Sequence, residues 1–100
     1  MAGVTITLAM TFKPEVVDAF CAGLPESIKD TQQRPGFRSI KVVRNKEDPN
    51  QLLFVESWDS EQDYQNYIAW RTERGDMERM PDMLASAPKL DVWPSVVAAA

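Results

Sequence analysis

Apolar and polar positions alternate from Val4 to Phe12, with Val4, Ile6, Leu8, Met10 and Phe12 on one side and Thr5, Thr7, Ala9 and Thr11 on the other. A period of two, rich in β-branched residues, predicts a strand. The period then lengthens: Val17, Phe20, Cys21, Leu24 and Ile28 recur at helical spacing after Pro14, which suits a first helical turn. Pro25 lies inside this stripe and cannot donate to the carbonyl of Cys21, so a kink or two successive short helices are expected. Gln32 to Gly36 reads as a turn. Alternation returns at Phe37–Arg44, and Gln51–Trp58 reads as a third strand after a turn through Asp48-Pro49-Asn50.

Ser60-Glu61-Gln62-Asp63 resembles a capping box and predicts a second helix, with Tyr64, Tyr67, Ile68 and Arg71 on one face and Gly75 as its stop. Asp76 is read as the cap of a further helical stretch bearing Met77, Met80 and Leu84. A last strand is expected over Lys89–Val96, with Ala98, Ala99 and Ala100 as a frayed end. The order β-α-β-β-α-β predicts an α+β protein of ferredoxin-like fold, an antiparallel sheet with helices on one face. One domain over residues 1–100, with a core from about 4 to 96, is expected. Leu52, Leu53, Phe54 and Val55 are apolar in succession, so both faces of that strand call for cover. Two helices cover one face, and a second copy of the sheet is expected over the other.

Composition narrows the chemistry. The net charge is −4, from 15 acidic and 11 basic residues, and no window holds a basic cluster, which argues against a nucleic-acid partner. No apolar run approaches the length of about 18 residues that spans a membrane. The start of the chain lacks the charged and apolar blocks of a signal peptide, and Cys21 is the single cysteine, so a cytoplasmic protein is expected. There is no histidine. That removes Ser-His-Asp and Cys-His systems and the commonest metal and haem ligand. Acid–base chemistry then falls to a carboxylate, a tyrosine, a lysine or the thiol.

Pro35-Gly36-Phe37, Glu47-Asp48-Pro49 and Phe54-Val55-Glu56-Ser57-Trp58-Asp59-Ser60-Glu61, in that order and spacing, resemble the motifs of the antibiotic biosynthesis monooxygenase family. The resemblance covers about Val4 to Val96. It implies a dimeric α/β barrel with two sheets face to face and a small pocket between each sheet and its own helices. It also implies oxidation of phenols, anthrones or quinols by molecular oxygen with no metal or organic cofactor, although other members degrade haem, process small carbonyl compounds or have no known activity. Members often carry a histidine nine positions after the motif tryptophan. Tyr67 stands there in this chain, which argues against the haem-degrading branch. Tyr67-Ile68-Ala69-Trp70-Arg71 is similar to a subset of quinol monooxygenase-like sequences.

Tyr67 and Arg71 lie one turn apart and are the candidate catalytic pair, a phenol to handle a proton and a guanidinium to stabilise an anion. The plainer reading is a buried tyrosine with a satisfied hydroxyl and an arginine paired with Glu56 or an acidic neighbour. Tyr64, Asn66 and Trp70 are candidate substrate-binding residues, Tyr64 and Trp70 as flanking rings and Asn66 with Trp70 as a pair found in some members. Trp70 also suits the dimer seam, and Asn66 points largely to solvent on an ideal helix. Glu56 is either a base with a raised pKa or a structural ion-pair partner. Cys21 reads as a small core hydrophobe. The expected function is cofactor-independent monooxygenation of a small aromatic quinol or phenol. The alternatives are a non-catalytic dimeric module for a hydrophobic metabolite, or an isomerase or cyclase using the same pocket.

Overall fold

The computed structural model describes residues 3–100, so the reading of the chain start at Met1 and Ala2 lies outside the described residues. The elements run β1 (Val4–Thr11), α1 (Pro14–Gln32), β2 (Phe37–Arg44), β3 (Gln51–Trp58), α2 (Glu61–Glu73), α3 (Met80–Met83) and β4 (Lys89–Trp93). The four strands form one antiparallel sheet in the order β2-β3-β1-β4. This is the ferredoxin-like arrangement, with the helices on one face.

The period-two patterns place one set of side chains under the helices. Val4, Ile6 and Met10 of β1 and Leu52, Phe54, Glu56 and Trp58 of β3 are all buried there. The apolar residues gather in two clusters. One holds Met10, Phe12, Val17, Leu52 and Phe54, and the other holds Val4, Ile6, Trp58 and Tyr64. Between them on the strands lie Leu8 and Glu56, in the rows Leu8↔Phe54 and Ile6↔Glu56. The clusters part at these positions, and a cavity opens over them.

The opposite face carries Thr5, Thr7, Ala9 and Thr11 of β1 and Leu53, Val55 and Ser57 of β3. It is uncovered in the single chain, and it is less greasy than the run Leu52–Val55 suggests. Threonines line its centre, while Leu53 is 37% exposed and Trp93 53% exposed. Trp93 lies along it, its indole N–H donating to Thr7 Oγ1 at 2.8 Å.

Local expectations differ from the structure in four places. α1 is one helix of 19 residues through Pro25, not two. Proline removes one donor from the ladder, and burial of the stripe that includes Val17, Phe20, Cys21 and Leu24 outweighs that loss. Asp76 does not cap a helix. Residues 76–79 are turns, and α3 spans only four residues, with Arg79 at its start. β4 ends at Trp93, since Pro94 follows and has no N–H for the ladder. Phe12 lies just beyond β1, in an isolated bridge with Leu84.

Candidate functional site

α2 begins where Ser60, in extended conformation, accepts a hydrogen bond from the Asp63 backbone N–H through its hydroxyl. From there Tyr64, Tyr67, Ile68 and Arg71 fall on one face, and all four line the cavity between helices and sheet. The helix ends in a Schellman motif. Gly75 takes φ +85°, its N–H bonds Thr72 O, and the N–H of Asp76 bonds Arg71 O, both at 3.0 Å. The reversal brings the Asp76 carboxylate back onto Arg71, whose Nη1 donates to Asp76 Oδ2 at 2.9 Å.

Arg71 is only 6% exposed, and all three of its nitrogens are engaged. Nε donates to Tyr67 Oη at 3.0 Å, while Nη2 donates to Ser27 O at 2.7 Å and Thr31 Oγ1 at 2.9 Å. Thr31 Oγ1 and Tyr67 Oη are themselves hydrogen-bonded at 3.0 Å. Burial works against the Arg71 charge, but the bonds to Asp76 and Tyr67 outweigh it and hold the guanidinium above its ordinary pKa. The plainer reading of this pair therefore describes its immediate bonding, with Asp76 rather than Glu56 as the acid. Arg71 ties α2 to α1 and forms one wall of the cavity.

Glu56 is 4% exposed. Its Oε1 accepts from the Trp58 indole N–H at 3.1 Å, and among the described residues it makes no salt bridge. The ion-pair reading of Glu56 is thus corrected, because the Gly75 turn gives Arg71 a nearer carboxylate. Burial raises the Glu56 pKa above its ordinary value, and the Trp58 bond and the charge of Arg71 offset only part of that. Tyr64, 5% exposed, is shifted the same way, first by burial and then by the charges of Glu56 and Tyr67, so its phenol stays neutral. Its ring packs edge-on to Trp58 at 6.0 Å, and Tyr67 lies 5.0 Å from the same indole.

The cavity has a volume of about 310 Å³. Its floor is Leu8, Ile40, Phe54 and Glu56 of the sheet, and Phe20, Leu24 and Ile28 of α1 form a second apolar wall. Met77, Met80, Met83 and Pro88 close one side, giving it an adaptable thioether rim.

A profile for antibiotic biosynthesis monooxygenases matches residues 3–72. The chain belongs to this family. No curated relative matches the sequence. Among solved structures, a conserved protein from Methanosarcina mazei Go1 is similar at 19% identity and a TM-score of 0.83, covering 96% of this chain and 95% of that one. A protein from Mycobacterium tuberculosis is 16% identical with a TM-score of 0.82, covering 98% and 99% of the two chains. An antibiotic biosynthesis monooxygenase is 16% identical with a TM-score of 0.80, covering 93% and 98%. At these identities the likeness is one of fold.

In this antibiotic biosynthesis monooxygenase family member, the sequence candidates divide. Tyr64, Tyr67 and Arg71 line the cavity, and Asn66 and Trp70 do not. Asn66 is exposed and accepts a hydrogen bond from the Gln62 side chain at 2.9 Å, as expected for a residue a full turn along the outer face. Trp70 lies on the flank of α2, with the guanidinium carbons of Arg34 and Arg74 each 4.4 Å from its ring. That position on the helix side is away from the open sheet face, so Trp70 is neither a cavity wall nor part of a seam on that face. Cys21 is a free thiol packed against the core, matching its expected role as a small hydrophobe. Ser27, Thr31 and Asp76 were not legible as site residues. Only the Gly75-Asp76 stop hinted at the last of them.

Proposed function

We propose that the protein is a cofactor-independent monooxygenase acting on a small aromatic quinol or phenol. The observation that carries this reading is the cavity, which is apolar on most sides with a few polar groups converging at one end. Family membership supports the reaction class. A quinol supplies its own electrons: quinol plus dioxygen gives hydroxyquinone plus water, one oxygen atom entering the ring, and no external reductant is needed. The protein then has to hold the ring in a dry site, orient its hydroxyl and stabilise developing charge. Tyr64 and Tyr67 offer rings against the substrate. Arg71, fixed by its four hydrogen bonds, offers a preorganised guanidinium in the cavity wall rather than a free cation for an incoming anion.

The same proposal takes the chain as one cytoplasmic domain that dimerises through the open sheet face. Among the described residues no helix is long and apolar enough to cross a membrane. Exposed Leu53, Val43 and Trp93 support an apolar seam on that face.

Turnover of a quinol panel with oxygen and under argon, with metals chelated, tests the activity. Oxygen-dependent hydroxyquinone above the buffer rate is expected. Equal rates with protein and buffer refute it, and product formed equally under argon marks an isomerase or cyclase. The closed bonding of Tyr67 and Arg71 favours a second reading, a non-catalytic module for a hydrophobic metabolite. Tyr67→Phe and Arg71→Met separate the two, an enzyme losing turnover and a binder losing affinity.

A further inference from the structure

Resting on that reading of the cavity, we infer that Glu56 is the group that recognises the substrate, accepting a hydrogen bond from a neutral ring hydroxyl and excluding anionic ligands. Only one of its oxygens is taken, by the Trp58 indole. The other oxygen of this cavity-lining carboxyl has no hydrogen-bond partner among the described residues, yet it is not sealed off. The same holds for the Tyr64 hydroxyl, which feels the Glu56 charge. Two buried polar groups with spare hydrogen-bonding capacity therefore face the space where a ligand sits, and a buried carboxyl left unmatched is costly.

Charge decides the class of ligand. Glu56 on β3, Arg71 on α2 and Asp76 beyond it are the charged side chains lining the cavity. α1 contributes Ser27 and Thr31, and β1 and β2 contribute apolar residues. Two carboxyls thus stand against one guanidinium, and that guanidinium is already paired with Asp76 at 2.9 Å. A carboxylate or phosphate entering the site meets no uncommitted cation and an unpaired carboxyl. A phenolic O–H meets an acceptor in Glu56, and its oxygen can accept from Tyr64.

Calorimetry under argon with 2-naphthol and 2-naphthoate tests this on the intact protein. The expected result is naphthol bound at least about tenfold more tightly than naphthoate. Glu56→Gln keeps an acceptor for Trp58 but turns an amide N–H₂ toward the ligand, so the preference collapses or reverses. A merely structural Glu56 leaves the ratio unchanged. In the wild-type protein the ratio widens as pH rises and Glu56 ionises, with Tyr64, Tyr67, Arg71 and Asp76 as the other titratable groups facing the ligand. This second measurement stands even if the variant does not fold. Equal affinities, a ratio indifferent to both Glu56→Gln and pH, or no binding of either probe overturns the inference. Discrimination without oxygen-dependent turnover sinks the monooxygenase reading alone, and turnover with an indifferent ratio sinks the Glu56 inference alone.

Discussion

Arg71 and Asp76 are five residues apart, and their 2.9 Å ion pair exists because a left-handed glycine between them folds the chain back. The pair closes the end of α2 over the cavity, so a helix stop and a cavity wall are one piece of local structure. Removing the acid strands a buried guanidinium.

Asp76→Ala is therefore expected to lower stability by about 2–3 kcal/mol, less than for a fully buried pair because the Asp76 side chain is 28% exposed. Arg71→Met combined with Asp76→Ala should recover part of this, since the double variant leaves no stranded guanidinium. Denaturant unfolding of the three variants checks the order. A double variant no more stable than Asp76→Ala contradicts it.

Two glycines with positive φ should respond differently to alanine. At Gly75, φ +85°, a Cβ comes no nearer than 3.4 Å to the Glu78 carboxylate, so the expected loss is the backbone term of about 1 kcal/mol. At Gly36, φ +82°, a Cβ runs into the Asp63 side chain that hydrogen-bonds the Ser60 hydroxyl at the start of α2. Gly36→Ala should be clearly the more damaging of the two in thermal melts.

The pH dependence of stability should carry the mark of Glu56. Its folded pKa lies above the ordinary 4.5, so the folded state holds the proton over a range where the unfolded chain has released it. Its contribution is greatest below the unfolded value and is lost as pH rises through the folded one. Glu56→Gln, which cannot ionise, is expected to gain on the wild type over that rise. Parallel curves of stability against pH for the two proteins would count against this.

The open face can be probed at Leu53, which is 37% exposed in the single chain. Leu53→Asp should cost the folded chain less than about 1 kcal/mol, as a half-exposed site does. It should nevertheless shift a dimer to monomer in sedimentation, because a desolvated carboxylate at a sheet-to-sheet seam lacks a partner. A wild type that sediments as monomer removes the seam from the proposal.

Much of the fold was legible because its signals are local. β2 and β3 coincide with the expected strands Phe37–Arg44 and Gln51–Trp58, and Ser60 and Gly75 bound α2 as their types demand. The stretch after Gly75 departs from the helical expectation because Asp after Gly is equally a helix start and the end of a Schellman turn, and here it is the turn. Pro25 does not split α1 in two because the loss of one helical hydrogen bond is small beside a buried stripe.

The candidate site was less legible, for a different reason. Periodicity put Tyr64, Tyr67 and Arg71 on one helical face, and they do line one cavity. It could not say that Ser27 and Thr31, some forty residues earlier on α1, would take up Arg71 Nη2. Nor could it show that Trp70 would carry Arg34 and Arg74 against its ring.

Sequence alone determined the strand and helix order, the face each strand buries and the family, since those follow from short-range periods, caps and motifs. Tertiary structure decided which polar groups are spent and which are left over. Hydrogen-bond partners come from elements distant in the chain, and a cavity is the volume that packing fails to fill. That is why Arg71, prominent in the sequence, is committed to its neighbours, and why Glu56, one alternating position among many, keeps an oxygen that no described residue takes up.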